Sequence, residues 1–194
     1  AQVSRRTTAV WVDPELIGQM AGELMARFLG LRGSVAVVTG DLTNHSHRKR
    51  AESFAQRFEQ IATRGRCCEI IEGHDDFDET FEKVSELLRR KPALKGIYVA
   101  TANCIAVCKA IEDRKMASKV QVVATHFFAE MVPHFESQAI VAAIYHRPFW
   151  LGQYALRVTL QSVLEKKPLR SSYLVQPQVI LASNMHLVRE CAAK

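Results

Sequence analysis

Residues 34–54 read SVAVVTGDLTNHSHRKRAESF, an apolar run that stops at a glycine, crosses a polar loop and enters a helix. Val35, Ala36, Val37 and Val38 are continuous, mostly β-branched and show no alternation. That pattern suits a strand buried on both faces of a parallel sheet rather than one half exposed to water. Thr39 and Gly40 end the run, residues 41–46 are small or polar apart from Leu42, and Ser46 is the expected N-cap of a helix that starts at His47. In an open α/β sheet the groups beyond the carboxyl end of such a strand face the ligand crevice. Arg48 and Arg50, in the first turn of the helix, are therefore the first candidates for holding a ligand.

Outward from this stretch the same alternation recurs. Upstream, residues 8–12 read as a short strand, and Asp13-Pro14 caps a helix over 15–29 whose apolar positions Leu16, Ile17, Met20, Leu24 and Phe28 share one face. Downstream, strands are expected over 67–71, 97–100, 120–124 and 140–145. Helices are expected over 78–89, 103–113, 128–135 and 148–165. An irregular crossing over 166–178 leads to a last strand at 179–181. Short strands alternating with helices across brief connections predict an α/β fold with a parallel sheet and right-handed crossovers. No GxGxxG follows a strand and no GxxxxGK[ST] occurs, so two common nucleotide signatures are missing.

At 194 residues and 48% hydrophobic content the chain can bury a sizeable core, which excludes disorder. The net charge of +6 is spread among acids, with no basic block or zinc framework that reads nucleic acid directly. The five cysteines, at 67, 68, 104, 108 and 191, form no even framework and favour a reducing compartment. The chain opens AQVSRRTTAV with no apolar signal core, and no apolar run approaches the roughly 20 residues of a membrane span. A cytoplasmic location without a membrane partner is the expectation.

Several strings in this order resemble one family, the effector-binding core of LacI-type transcriptional regulators, which shares its fold with periplasmic sugar-binding proteins. SRRTTAVWVDPELIGQMAGELM is similar to the family segment carrying a strand, an Asp and a glycine-bearing helix, with Asp13 and Gly18 as counterparts. VAVVTG followed by Arg48, Arg50 and Phe54 resembles its strand and arginine-bearing helix start. GIYVATANCIAVCKAIED, VQVVATHFF and IVAAIYHRPFWLGQYAL resemble three further segments. The resemblance runs from about Ser4 to Asn184. It implies a periplasmic-binding-protein-like lobe of three αβα layers and an incomplete second lobe. Residues 1–33 are then a remnant of the N-terminal lobe with the first crossover, 34–145 a complete C-terminal lobe, 146–178 a remnant returning to the first lobe, and 179–194 a last strand and tail. On this reading the DNA-reading headpiece lies outside the chain, and operator DNA is reached only through it.

The resemblance also assigns roles. Arg50 maps onto an arginine that grips ligand hydroxyls or carboxylates, for which a planar guanidinium with several fixed donors is well suited. Arg48 is its neighbour, and Asp41 and Asn44 share the loop, although building turns is their commoner work. Asn103 stands where the family places a crevice amide or acid, and N-capping explains it equally well. His126 replaces a usual Asp, which makes the crevice less negative and suggests an acidic or otherwise modified sugar. His146 takes a polar position between strand and helix, against a hinge hydrogen bond as the alternative. Trp11 and Tyr145 offer stacking surfaces for a sugar ring or core packing. No cofactor is implied. The expected function is binding of a small-molecule effector, a sugar or sugar derivative, by a transcriptional regulator; a solute-binding protein of a sugar transporter is the alternative.

Other chemistries fit less well. Cys104 and Cys108 lie four apart on one apolar helical face, more often core than metal ligands. His74, Asp75, Asp76 and Asp78 lack the spacing of a calcium loop, and Cys67-Cys68 lacks a base. No GxSxG occurs and the expected module is not an enzyme; a flavodoxin-like enzyme is the third and least favoured class. Finally, residues 148–165 carry Phe149, Trp150, Leu151, Leu156, Val158, Leu160, Val163 and Leu164, an apolar face that needs cover. Each large side chain left in water forgoes roughly 1.5–3 kcal/mol, so self-association as a homodimer or larger, or packing of the remnants on one another, is expected.

Overall fold

A computed structural model describes residues 6–192. Strands and helices alternate: β1 (Val10–Trp11), α1 (Pro14–Phe28), β2 (Arg32–Thr39), α2 (His45–Ile61), β3 (Arg64–Glu72), α3 (Phe77–Arg90), β4 (Leu94–Val99), α4 (Cys104–Asp113) and β5 (Gln121–Thr125). A 3₁₀ turn (Ala129–Met131) and the short α5 (Val132–Glu136) precede β6 (Ile140–Tyr145), α6 (Pro148–Leu164), β7 (Tyr173–Leu174), β8 (Gln178–Ile180) and α7 (Met185–Ala192). The chain divides into two compact units. The larger holds Pro14–Tyr145 and the residues from Val179, and the smaller holds residues 6–13 and His146–Gln178.

The larger unit is built on a six-stranded sheet of order β3-β2-β4-β5-β6-β8, and the β3-β2, β2-β4, β4-β5 and β5-β6 pairs are parallel. Alternate strand residues serve two different layers. Ala36, Val38, Ile97, Val99, Val122, Ala124 and Ala143 pack with Val84 and Leu87 of α3, Val107 and Ile111 of α4 and Phe135 of α5. Their neighbours Val35, Val37, Tyr98, Val123, Ala142 and Ile144 are equally buried and belong to the face covered by α1 and α2. This is the three-layer αβα arrangement, and it explains why Val35–Val38 of β2 are uniformly apolar: both faces of that stretch are core.

Helix α1 belongs with this larger unit. The boundary therefore falls at Pro14 rather than after Gly33, because Ile17, Ala21 and Met25 are buried while α1 packs along α2 and over β4, β5 and β6. Gly18 and Gly22 make the α1–α2 approach possible. A Cβ on Gly18 would sit 2.9 Å from Ser53 Cβ and 3.0 Å from the Phe54 nitrogen, and one on Gly22 only 2.7 Å from the Phe54 carbonyl oxygen.

Three local expectations change. The N-cap of α2 is Asn44, not Ser46, since the Asn44 side chain accepts from the backbone N–H groups of Ser46 and His47. The stretch 166–178 contains β7, and residues 185–192 form α7 instead of an irregular tail. Both escaped detection because a two-residue strand is defined by its partner and not by its own pattern, and because α7 is short, its described core contacts coming from Met185 and Val188.

The smaller unit pairs β1 with β7 in a parallel two-stranded sheet, Val10 with Tyr173 and Trp11 with Leu174. Tyr154 of α6 packs between Trp150, 4.8 Å away by ring centroid, and Tyr173, 5.9 Å away. Val158 is the one residue of α6 classed as buried; Phe149, Leu156, Leu160, Val163 and Leu164 remain exposed.

Candidate functional site

The site begins where β2 ends. Gly40 follows Thr39, and a Cβ at Gly40 would lie 2.7 Å from both Asp75 Oδ2 and His47 Nδ1. A side chain at position 40 would have to push aside the Asp75 carboxylate and the His47 ring. His47, in the first turn of α2, accepts the Asp41 backbone N–H on Nδ1 at 3.1 Å. Asp41 in turn accepts the Thr43 N–H at 2.7 Å, and the Thr43 side chain first, with this backbone bond second, holds its carboxyl below the usual range. The loop is thus tied before any ligand arrives.

Arg50, one turn further along α2, is 9% exposed. One terminal nitrogen donates to the Ala100 carbonyl at the end of β4, while its Nε is buried with no hydrogen-bond partner. Burial lowers the affinity of this guanidinium for its proton, and the nearby Tyr98 and Asp75 oppose that effect. Two further buried donors lack partners beside it in the strand ends: the hydroxyls of Thr39, at the end of β2, and Thr101, just past β4. Buried polar groups are normally satisfied. Three that are not, one on α2 and two at the carboxyl ends of adjacent strands, leave donors that a ligand's oxygens could satisfy.

Below Arg50 the floor is rigid. Tyr98 is fully buried, stacks on Phe54 with centroids 4.6 Å apart, and shares a 2.8 Å hydrogen bond with the Thr125 hydroxyl. Burial pushes the Tyr98 phenol up to about 12, so it stays neutral. Beyond Thr125, His126 continues the β5–β6 ladder by donating its backbone N–H to the Ile144 carbonyl at 2.9 Å, then adopts a left-handed φ of 72°. His74 and Asp75, beyond β3, are left-handed as well, at 49° and 56°. Non-glycine residues held there cost roughly 1–3 kcal/mol each and tend to gather at functional loops.

The electrostatics single out a group of four: Arg50, Asp75, His47 and His126. Burial first, and the Arg50 charge second, lower the His126 imidazole to about 4, with Asp75 the one group pulling the other way. His47 is lowered by burial and then by Arg50. At neutral pH the site therefore offers one cation, the carboxylates of Asp75 and Asp41, and two uncharged imidazoles that can donate or accept. That set suits a hydroxyl-rich molecule. It also predicts a pH effect of definite sign. Above about pH 6.5 both folded and unfolded chains hold His126 neutral, and its contribution is intact. Between about pH 6.5 and 4 the unfolded chain takes up a proton that the folded chain refuses, so stability falls by about 3 kcal/mol and levels off below. Urea unfolding across this range should show that slope, and His126→Gln should flatten it.

Of the residues singled out by sequence, Arg50 and His126 come together here with Asp41 on the adjoining loop. Asn44 is occupied in capping α2. Arg48 is exposed, and its terminal nitrogen donates to the Leu42 carbonyl at 3.2 Å, which makes it a brace of the loop. Asn103 makes no side-chain cap for α4; its amide donates to the Asp76 carbonyl at 2.6 Å and to the Thr80 hydroxyl at 2.7 Å, locking the loop after β3. Trp11, 42% exposed, and His146 belong to the smaller unit. Asp75, His47, Tyr98 and Thr125 are additions from the structure. Among the described residues no group of three or more His, Cys, Asp or Glu is arranged to hold a metal ion, and no helix is long and apolar enough to cross a membrane.

A search of curated proteins finds no match to the chain. Solved structures do match, at identities that speak for the fold. GanP, a glucose-galactose binding protein from Geobacillus stearothermophilus, superposes with a TM-score of 0.86 at 23% identity over 95% of this chain and 65% of its own. A periplasmic solute-binding protein of an ABC transporter from Actinobacillus succinogenes, with bound D-allose, gives 0.84 at 19% identity over 91% of this chain and 62% of its own. A solute-binding protein from Burkholderia graminis, in complex with D-arabinose, gives 0.85 at 21% over 93% and 64%. The chain thus spans somewhat less than two thirds of the length of these three proteins. The family described as periplasmic binding protein domain matches residues 2–167. With its parallel three-layer unit and its polar cluster at the carboxyl ends of the strands, the chain belongs to that periplasmic binding protein family.

Proposed function

We propose that the chain is the ligand-binding portion of a two-lobed receptor and that its ligand is a sugar or sugar derivative, bound without chemical change. The observation that carries this reading is the buried Arg50 with its unpartnered Nε, beside the unpartnered hydroxyls of Thr39 and Thr101. The charge balance refines the ligand. Asp75 offsets Arg50, so the His at position 126 does not leave the site positively charged overall, and a neutral polyhydroxy ring is favoured over a sugar acid. Names of the similar structures support a sugar ligand, since they bind glucose and galactose, D-allose and D-arabinose.

Two receptors use such a portion. The similar structures favour the solute-binding component of a sugar transporter. A LacI-type transcriptional regulator, acting on operator DNA through a separate headpiece and working in the cytoplasm, is the second reading. It is supported by free thiols at Cys67, Cys68, Cys104 and Cys108. In either, the ligand acts only by binding two lobe arrangements with different affinity. A thermal-shift screen of sugars, sugar acids and polyols tests the ligand class. At least one neutral sugar should raise the melting temperature, and a hit confined to sugar acids would reverse the charge argument. The full-length coding sequence separates the receptors: a secretory signal selects transport, a helix-turn-helix segment regulation.

The exposed apolar residues of α6 add a prediction. Sedimentation velocity on the isolated chain should show concentration-dependent self-association, weakened by Leu156→Ser with Leu160→Ser. A monomer at all concentrations would remove the homodimer from the account.

A further inference from the structure

At the amino end of the sheet, away from the site above, lies a cavity of about 520 Å³ lined by Phe28, Leu29, Arg32, Gly33, Arg64 and Lys95. Its cations come from three adjacent strands. Arg32 of β2 is in parallel register with Arg64 of β3, which places two guanidinium-bearing residues side by side at the sheet's edge. Lys95 of β4 falls in the register shift between the Ser34–Leu94 and Val35–Gly96 pairs, so it has no strand partner. Its stem runs over Gly33, where a Cβ would come 3.1 Å from Lys95 Cγ and where φ is +102°.

Like charges at register positions destabilise a sheet, and this chain usually avoids the problem. Arg27 and Arg57 pair with Glu23, Lys83 with Glu79, Arg89 with Glu86, Arg90 with Glu69 and Lys109 with Asp113. Arg32, Arg64 and Lys95 are in no ion pair with the described residues, and no acid lines the cavity. Beside them Phe28, 41% exposed, and Leu29 offer an apolar wall. The volume lies within the range of small-molecule sites. We propose that this cavity binds a small soluble organic anion, with its phosphate, sulfonate or carboxylate group between the three cations and its apolar part against Phe28. The assignment is independent of the sugar reading.

The test uses phenyl phosphate and inorganic phosphate as probes, titrated at low ionic strength into the ¹⁵N-labelled chain. Amide shifts should centre on Leu29, Gly33, Gly65 and Lys95, and phenyl phosphate should bind about tenfold more tightly than phosphate. R32Q with R64Q should weaken both probes by at least about tenfold, while F28A should remove only the advantage of the phenyl group. Because relief of like-charge repulsion should leave R32Q/R64Q as stable as the parent, its melting curve serves as the control for folding. Shifts centred elsewhere, or affinities changed less than about twofold by R32Q/R64Q, would overturn the proposal. So would co-sedimentation with phosphatidylglycerol vesicles that depends on Arg32 and Arg64 when phenyl phosphate causes no shift, since the surface would then be a lipid contact.

Discussion

Gly18→Val, at a buried position of α1, should destabilise the larger unit by about 4 kcal/mol. The reason is where the new side chain would go. A Cβ at Gly18 would overlap the carbonyl oxygen of Arg50 and press on Ser53 Cβ and the Phe54 nitrogen. Two of these three are backbone atoms of α2, and α2 cannot retreat without lifting Phe54 off Tyr98. Gly18→Ala should destabilise too, although alanine in an open helix gains about 1 kcal/mol over glycine. Gly152 supplies the contrast: it lies in α6, a Cβ there meets nothing within 4 Å, and Gly152→Ala should be neutral or stabilising by up to about 1 kcal/mol. Urea unfolding of the three variants compares them directly. Equal effects at 18 and 152 would mean that α1 and α2 are not in backbone contact.

The second large effect concerns binding. Arg50→Met should reduce affinity for the best neutral sugar by at least about a hundredfold, since a hydrogen bond to a buried charged group contributes roughly 1.5–3 kcal/mol and the guanidinium offers more than one. Stability without ligand should change by less than about 1 kcal/mol. The variant leaves the Ala100 carbonyl without its donor, but it also removes a desolvated charge that holds an unpartnered Nε. Isothermal titration for affinity and chemical unfolding for stability keep the two effects apart. A variant that unfolds, or that binds sugar as tightly as the parent, would assign Arg50 to the core.

Much of this was legible in the residues. The run from Val35 to Val38 signalled a strand buried on both faces, and it is one. The loop and helix after it pointed to Arg50 at the carboxyl end of the sheet, where it donates to the Ala100 carbonyl, because a strand's carboxyl end in a parallel sheet is fixed by topology alone. Asp75 was hidden for a physical reason. In the run Gly73-His74-Asp75-Asp76, acids before a helix are explained by capping and the helix dipole, and Asp76 does cap α3. Which of two neighbouring acids caps and which reaches the next loop depends on the left-handed turn at His74 and Asp75. A similar ambiguity misplaced the α2 cap, since Asn44 and Ser46 are both good caps and only the path of the loop selects one. Asn103 had two local explanations, yet its partners Asp76 and Thr80 lie more than 20 residues away.

Arg50 is buried with its Nε unpartnered, and the proposed sugar site needs that atom to donate to a ligand hydroxyl. Its Nε–H resonance, followed by ¹⁵N NMR in arginine-labelled protein while the best neutral sugar is added, reports on that atom. The resonance should shift saturably, with the same dissociation constant as calorimetry and slowed exchange of its proton with water. An Arg50 Nε–H signal that stays in place while the sugar binds would contradict it.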